Sequence, residues 1–182
     1  SWPIFIVLLS TVILKERLNL RRGLSILLGF SGVALVLTKG SFAQVRLDNY
    51  LVDGLVLVAA FVFGLFSVLS KKIRLEQYTL LTIYFLTATV AALISMLLLS
   101  QFAWPIKNAL LLILVNGLFV NGFSYIFWIK ALKAAEASFV APFVFLTPVL
   151  AAVYLIVFFQ ESLLPVYGIG LATVVVAGLL NR

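Results

Sequence analysis

The sequence predicts an all-α transmembrane protein, seven visible spans of a ten-helix bundle built from two inverted five-helix repeats. Three observations carry that expectation. The chain is 64% hydrophobic and only 10% charged over 182 residues, with a mean hydropathy of +1.24. A soluble domain needs about 45–50% apolar and about 25% charged residues to face water. Long apolar runs alternate with short charged clusters, as a bilayer solvent demands. Finally, the end of the chain repeats its beginning with the basic residues removed.

A spanning helix takes about 20 mostly apolar residues. Cut at its charged and turn clusters, the chain yields seven runs: Ser1 to Leu14, Gly23 to Leu37, Asp53 to Leu69, Tyr78 to Leu99, Ala109 to Ile129, Ala137 to Phe159 and Val166 to Leu180. The first is too short to cross alone. The second, third and seventh are expected to extend into their flanks. Connections are short, so successive spans should be antiparallel neighbours. The one longer polar stretch, 38–52, reads as an extracytoplasmic loop between two halves. Residues 1–37 then hold the last two helices of a first repeat, and residues 53–182 a complete second repeat.

Alternate loops fall on one side of the membrane. One side collects Lys15, Arg17, Arg21, Arg22, Lys71, Lys72, Arg74, Lys130, Lys133 and Arg182, while the other holds Lys39, Arg46 and Lys107. Basic loops stay inside, so the first set and the C-terminus are expected in the cytoplasm, in a multi-pass protein of the cell membrane. The net charge of +7 is thus spread over small inter-span clusters. A nucleic-acid binder would show a contiguous basic face, so no nucleic-acid partner is expected.

A shift of 145 positions lays Pro3 on Pro148, Glu16 on Glu161, Leu18 on Leu163 and Gly23 on Gly168. Both segments read as a proline-started apolar helix, a Glu, a Leu, a turn and a glycine-rich apolar helix. The first turn carries Lys15-Glu16-Arg17 and Arg21-Arg22; the second carries Gln160-Glu161-Ser162 and Val166-Tyr167. The apolar skeleton is kept while the basic residues vanish, which places the hairpins in opposite orientations, as in an inverted repeat. The chain opens at Ser1 inside an apolar run, and its one methionine is Met96. Extending the repeat backwards calls for roughly 90 further residues, about three helices, ahead of Ser1.

Chemistry is constrained by what is missing. The chain has no Cys and no His, which removes disulfides, thiolate or imidazole metal sites and Ser-His-Asp arrangements. No metal and no cofactor is expected. All six acids, Glu16, Asp48, Asp53, Glu76, Glu136 and Glu161, lie at or near span ends, so no charged relay sits at mid-bilayer. No Walker-type glycine loop appears, so no ATP-driven motor is encoded. An intramembrane enzyme would need a nucleophile with a base, or a metal, inside the bundle. Neither is present.

Neutral polar groups remain. At about 100° per residue, Gly117, Asn121, Ser124, Tyr125 and Trp128 share one face of the fifth span, with Asn116 on a different side. Amides facing lipid would leave their donors unsatisfied, so this stripe should face protein or a water-filled space. Asn121, Ser124 and Tyr125 read either as interhelical hydrogen-bonding residues or as cavity lining; Trp128 reads as an interfacial anchor. The sixth span carries a second stripe, Ser138, Ala141, Pro142, Phe145, Val149 and Ala152. Pro142 and Pro148 each free a carbonyl about one turn earlier. Such carbonyls either serve substrate or are satisfied within a packing kink. The substrate-cavity candidates are therefore Asn121, Ser124, Tyr125, Ser138, Pro142 and Phe145. Glu16 and Glu161, at equivalent helix ends, read as turn-fixing residues, with gating as the alternative. Ala60, Gly64 and Ser67 form a small-residue packing seam.

The run from Ala131-Leu132-Lys133-Ala134-Ala135-Glu136-Ala137-Ser138 through Pro142, then Leu146-Thr147-Pro148 and Glu161-Ser162-Leu163, resembles EamA-type permeases of the drug/metabolite transporter superfamily. So does the first hairpin, from Trp2-Pro3 through Lys15-Glu16-Arg17-Leu18 to Gly29-Phe30-Ser31-Gly32-Val33. Asp53 to Lys71, with Ala59-Ala60 and Gly64, looks like the opening helix of that family's second repeat. The resemblance implies ten helices in two inverted repeats, both termini in the cytoplasm and a central substrate cavity. Gln160 stands where the family usually has Gly. The function expected is secondary transport of a small organic metabolite or drug; the other reading is a membrane-embedded assembly or binding subunit without transport of its own. The partners implied are membrane lipid, a small-molecule solute and, were two such pieces to complete one pore, a second copy in a homodimer.

Overall fold

The computed structural model describes residues 1–41, 49–100, 104–160, 162 and 164–181. Arg46, Asp48, Glu161, Leu163 and Arg182, weighed above, lie outside the described residues. Every regular element among the described residues is helical: α1 (Trp2–Ile13), α2 (Leu20–Leu37), α3 (Tyr50–Lys72), α4 (Gln77–Leu99), α5 (Lys107–Val115), a π-helix (Asn116–Phe123), α6 (Ser124–Ala134), α7 (Ala137–Val140), a 3₁₀ turn (Ala141–Phe145), α8 (Leu146–Phe159) and α9 (Pro165–Leu180). All seven apolar runs are thus helical. Five stretches have the length and apolarity to cross a membrane, whereas α1 and α9 are apolar but only 12 and 16 residues long. Seven helical rods, not ten, are present among the described residues.

Two helices gain length at their starts, and capping explains both. Asn19 Oδ1 accepts from Arg22 N at 2.9 Å, which lets α2 begin at Leu20 rather than Gly23. Asn49 Oδ1 accepts from Val52 N at 3.2 Å ahead of α3. An asparagine oxygen satisfies one of the first-turn N–H groups that lack an intrahelical partner. Lys71 and Lys72 then close α3, where cations suit the negative end of the helix dipole.

The chain forms two compact units, residues 1–69 with 135–182, and residues 70–134. In the first, α2 and α9 pack antiparallel along small residues. Ser25 Oγ donates to Ala177 O at 2.7 Å. A Cβ on Gly32 would stand 3.0 Å from Gly170 O, and one on Gly170 would stand 2.4 Å from Val36 Cγ2. In lipid, helices associate through close packing and interhelical hydrogen bonds, so small residues are what this seam requires. Its contacts follow the 145-residue spacing seen in the sequence. Adding 145 to Ser25 and Gly32 gives Gly170 and Ala177, so the contact Ser25–Ala177 and the contact Gly32–Gly170 exchange under the shift. The backbone follows the same rule. Lys15 and Gln160, 145 apart, leave their helices with φ of 57° and 53°, and α2 and α9 start at Leu20 and Pro165.

α1 packs on α3 in the same unit. Gly64 lies so close to α1 that an added Cβ would sit 2.8 Å from Phe5 Cβ. Trp2 meets Phe63 edge-on at 4.8 Å, and Phe5 meets Phe61 at 5.7 Å. Ala60 and Ser67 are buried beside Gly64, as a packing seam expects. In the second unit α4 packs with α6, and most of its apolar side chains point outward. A bilayer solvates such a surface; water would not.

Candidate functional site

Two spans are interrupted, and they are interrupted differently. The fifth is π-helical over Asn116–Phe123, in the sequence NGLFVNGF. Two Asn and two Gly within eight residues weaken the ordinary helical ladder locally. With the wider π turn, residues five apart come into register. Asn121 Nδ2 donates to Asn116 O at 3.2 Å and to Asn116 Oδ1 at 3.4 Å. This corrects the sequence expectation that Asn116 lies on a different side, which assumed α-helical spacing throughout. Both asparagines are exposed, and no residue of the π segment is buried.

Ser124 Oγ, at the start of α6, donates back to Val120 O in the π segment of the same span. The Tyr125 ring stands edge-on to Phe85, with centroids 5.8 Å apart. Beside them, α4, the π segment and α6 border a concave space of about 380 Å³ lined by Thr82, Phe85, Thr89, Gly122 and Ile126. The α4 contribution was missed in the sequence. Its signal was the spacing of Thr82, Phe85, Leu86 and Thr89, at i, i+3, i+4 and i+7. Lys71 Nζ donates to Leu132 O at 2.8 Å, so one of the basic residues counted in the loop asymmetry also closes the last turn of α6.

The sixth span is tightened rather than widened. Pro142 opens the 3₁₀ turn between α7 and α8, where its missing N–H breaks the i→i−4 ladder. Pro148 does not make the second break expected of it. It sits in the first turn of α8, where an absent N–H leaves nothing unpaired. The predicted stripe is buried at Ser138, Ala141, Pro142, Phe145 and Val149. Phe145 presses on α2: a Cβ at Gly29 would stand 2.4 Å from its Cδ2. Its other flank borders an apolar groove of about 490 Å³ that also includes Trp2, Phe30, Leu37 and Pro148. Asn121, Ser124 and Tyr125 belong to one compact unit, and Ser138, Pro142 and Phe145 to the other.

Glu16 is not the local turn-fixer that its position suggested. Lys15, in the left-handed region, turns the chain out of α1, and the Glu16 side chain then reaches α7. Its Oε1 accepts from Ala137 N and its Oε2 from Ser138 N, both at 2.9 Å. Arg22 Nη1 donates to Ser138 Oγ at 3.0 Å and to Arg17 O at 3.2 Å, and pairs with Glu136. Asn181 Nδ2 donates to Phe139 O at 2.6 Å from the end of α9. Glu161, 145 positions after Glu16, lies outside the described residues. Among the described residues no group of three or more acids stands close enough to hold a metal ion.

The family model described as "EamA-like transporter family" matches residues 51–181. An "Uncharacterized transporter" of Archaeoglobus fulgidus is 28% identical over 155 residues, covering 83% of this chain and 53% of that protein. An "S-adenosylmethionine uptake transporter" of Rickettsia prowazekii is 27% identical over 163 residues, covering 87% and 52%. The chain spans about half the length of the curated relatives it matches. One crystal structure, 23% identical, superposes with a TM-score of 0.84 over 100% of this chain and 63% of its own, a likeness of fold. A family match over most of the chain, on a series of apolar spanning helices, makes this a multi-pass membrane protein of the EamA-like transporter family.

Proposed function

We propose that the protein is a secondary transporter that moves a small organic solute across the cell membrane, through a cavity between two inverted five-helix repeats. The exposed asparagine pair within the fifth span carries this reading. Burying an amide in hydrocarbon without a partner costs about 2–7 kcal/mol, so a span does not keep one on a lipid face. The Asn116–Asn121 clasp uses Asn121 Nδ2 and Asn116 Oδ1; Asn121 Oδ1 and Asn116 Nδ2 are left to accept from and donate to a solute. Ser124 and Tyr125 flank that pair. Ser138, Pro142 and Phe145 belong to the broken sixth span, which supplies apolar surface and a bend. A solute with neutral or zwitterionic hydrogen-bonding groups and an apolar body suits such residues.

The exchange of α2 and α9 contacts under the 145-residue shift supports the inverted repeat. The ten-to-three split of basic residues supports a cytoplasmic C-terminus. The test is flux into proteoliposomes holding the full natural protein, with S-adenosylmethionine as the first probe, followed by neutral amino acids and nucleosides. Saturable, ATP-independent uptake of one of them is expected. Asn121→Leu should insert normally and weaken apparent affinity several-fold, as loss of a neutral hydrogen bond does. Reduced thermal stability with unchanged affinity would remove the asparagine pair from the solute path.

A further inference from the structure

The start of α7 is held by side chains from a distant part of the sequence. Glu16 supplies both oxygens to Ala137 N and Ser138 N, across 121 and 122 residues of sequence. The acid that stands where a local cap belongs, Glu136, makes no cap hydrogen bond and is turned to Arg22 instead. Arg22 in turn holds Ser138 Oγ and the Arg17 carbonyl. The α1–α2 corner and the first turn of the sixth span are therefore tied by a closed set of charge-assisted bonds.

We propose that Glu16 and Arg22 form a latch, and that its release opens the solute path on the side bearing Lys15, Arg17, Arg21 and Arg22. The proposal rests on the transport reading above. Three features make the contact a switch. α7 is a single turn of four residues, and the 3₁₀ turn with Pro142 follows it directly. A mid-span 3₁₀ stretch breaks the helical ladder and marks a hinge, so α7 can swing without carrying α8 along. The bonds share members: Ser138 offers its N–H to Glu16 and its hydroxyl to Arg22. A set connected this way is made or lost together, as a two-state element requires. And the groups it closes over are shut away: Ala137, Ser138 and Ala141 are each 0% exposed.

The chain has no native Cys, so Ala141→Cys gives a reporter directly behind the latch. The full natural protein, freed of any Cys elsewhere, is placed in nanodiscs, where both faces meet a maleimide. With the latch intact, labelling should be slow. Glu16→Gln keeps one acceptor oxygen, now neutral, and sets an amide NH2 against the other backbone N–H, so one bond is lost and the second weakened; labelling should accelerate about five- to tenfold. Arg22→Lys should act in the same direction and less. Exchange of the Phe139–Phe145 amides into deuterated water, measured without the cysteine, should rise in parallel relative to α8. Labelling and exchange unchanged in both variants, with only the melting temperature lowered, would overturn the latch and leave a plain helix cap. Because neither readout needs a solute, a wild-type protein with latch-dependent labelling but no flux of S-adenosylmethionine, amino acids or nucleosides would sink the transport reading separately.

Discussion

Helices α4 and α7 each begin directly after a glutamate, and the two glutamates are used in opposite ways. Glu76 caps its own helix: Oε2 accepts from Tyr78 N and Thr79 N, both at 2.9 Å. Glu136 leaves α7 uncapped locally and pairs with Arg22, while Glu16 arrives from the α1–α2 corner to accept the two orphan N–H groups. Both solutions satisfy first-turn donors that would otherwise go unpaired. Their mechanical consequences differ. A local cap fixes one helix end, and its loss frays one helix. A borrowed cap joins two elements, so its loss separates them.

The largest effect that tests this contrast is on stability. Glu16→Ala leaves Ala137 N and Ser138 N, in residues that are fully buried, without partners. At about 1–3 kcal/mol for each unsatisfied buried donor, at least about 2 kcal/mol should be lost. Glu76 is exposed, and water replaces it, so Glu76→Ala should lower the melting temperature far less. Equal losses in detergent-solubilised protein would show that burial and distance confer nothing on the Glu16 cap.

Much of this was legible in the sequence, and the failures have one physical origin. Composition and charge spacing located all seven apolar helices, because lipid makes span length and loop charge nearly independent of tertiary detail. The small-residue seam at Ala60, Gly64 and Ser67 was legible for the same reason. The Pro142 break was too, since a missing N–H acts locally. Asn116 was misplaced because helical-wheel reasoning assumes one periodicity, and the π segment changes it. Glu16 and Arg22 were read as a turn and a charge marker because their partners are more than a hundred residues away. Sequence spacing carries local periodicity; it carries no signal for a carboxylate that crosses to another hairpin.

An intermediate effect comes from the asparagine clasp, which is local like the Glu76 cap. Asn121→Leu removes a bond within one span, so the loss should be about 0.5–1.5 kcal/mol. Asn116→Leu takes away only the bond to Oδ1 and leaves the one to the backbone carbonyl, so it should cost less, and the double variant no more than Asn121→Leu alone. Additive losses in thermal melts would show that the two side chains act separately, and that the π turn does not depend on their meeting.

The smallest expected effect is a pH dependence of the local cap. The N–H groups of Tyr78 and then Thr79 hold the Glu76 carboxyl below its ordinary value of 4.5, with Lys133 adding a minor pull in the same direction. A carboxyl whose value is lower folded than unfolded stabilises most above the unfolded value, and that stabilisation disappears as pH falls through the folded value. The window therefore lies below pH 4.5. The melting temperatures of wild type and Glu76→Ala should differ slightly at neutral pH and converge as the buffer is taken below that value. The side chain is exposed, and screening keeps the shift small. A gap that stays constant across the acid range would mean that the backbone bonds at Tyr78 and Thr79 do not depend on the carboxylate charge. The α4 cap would then lose its electrostatic character, and its contrast with the charge-assisted α7 cap would rest on distance alone.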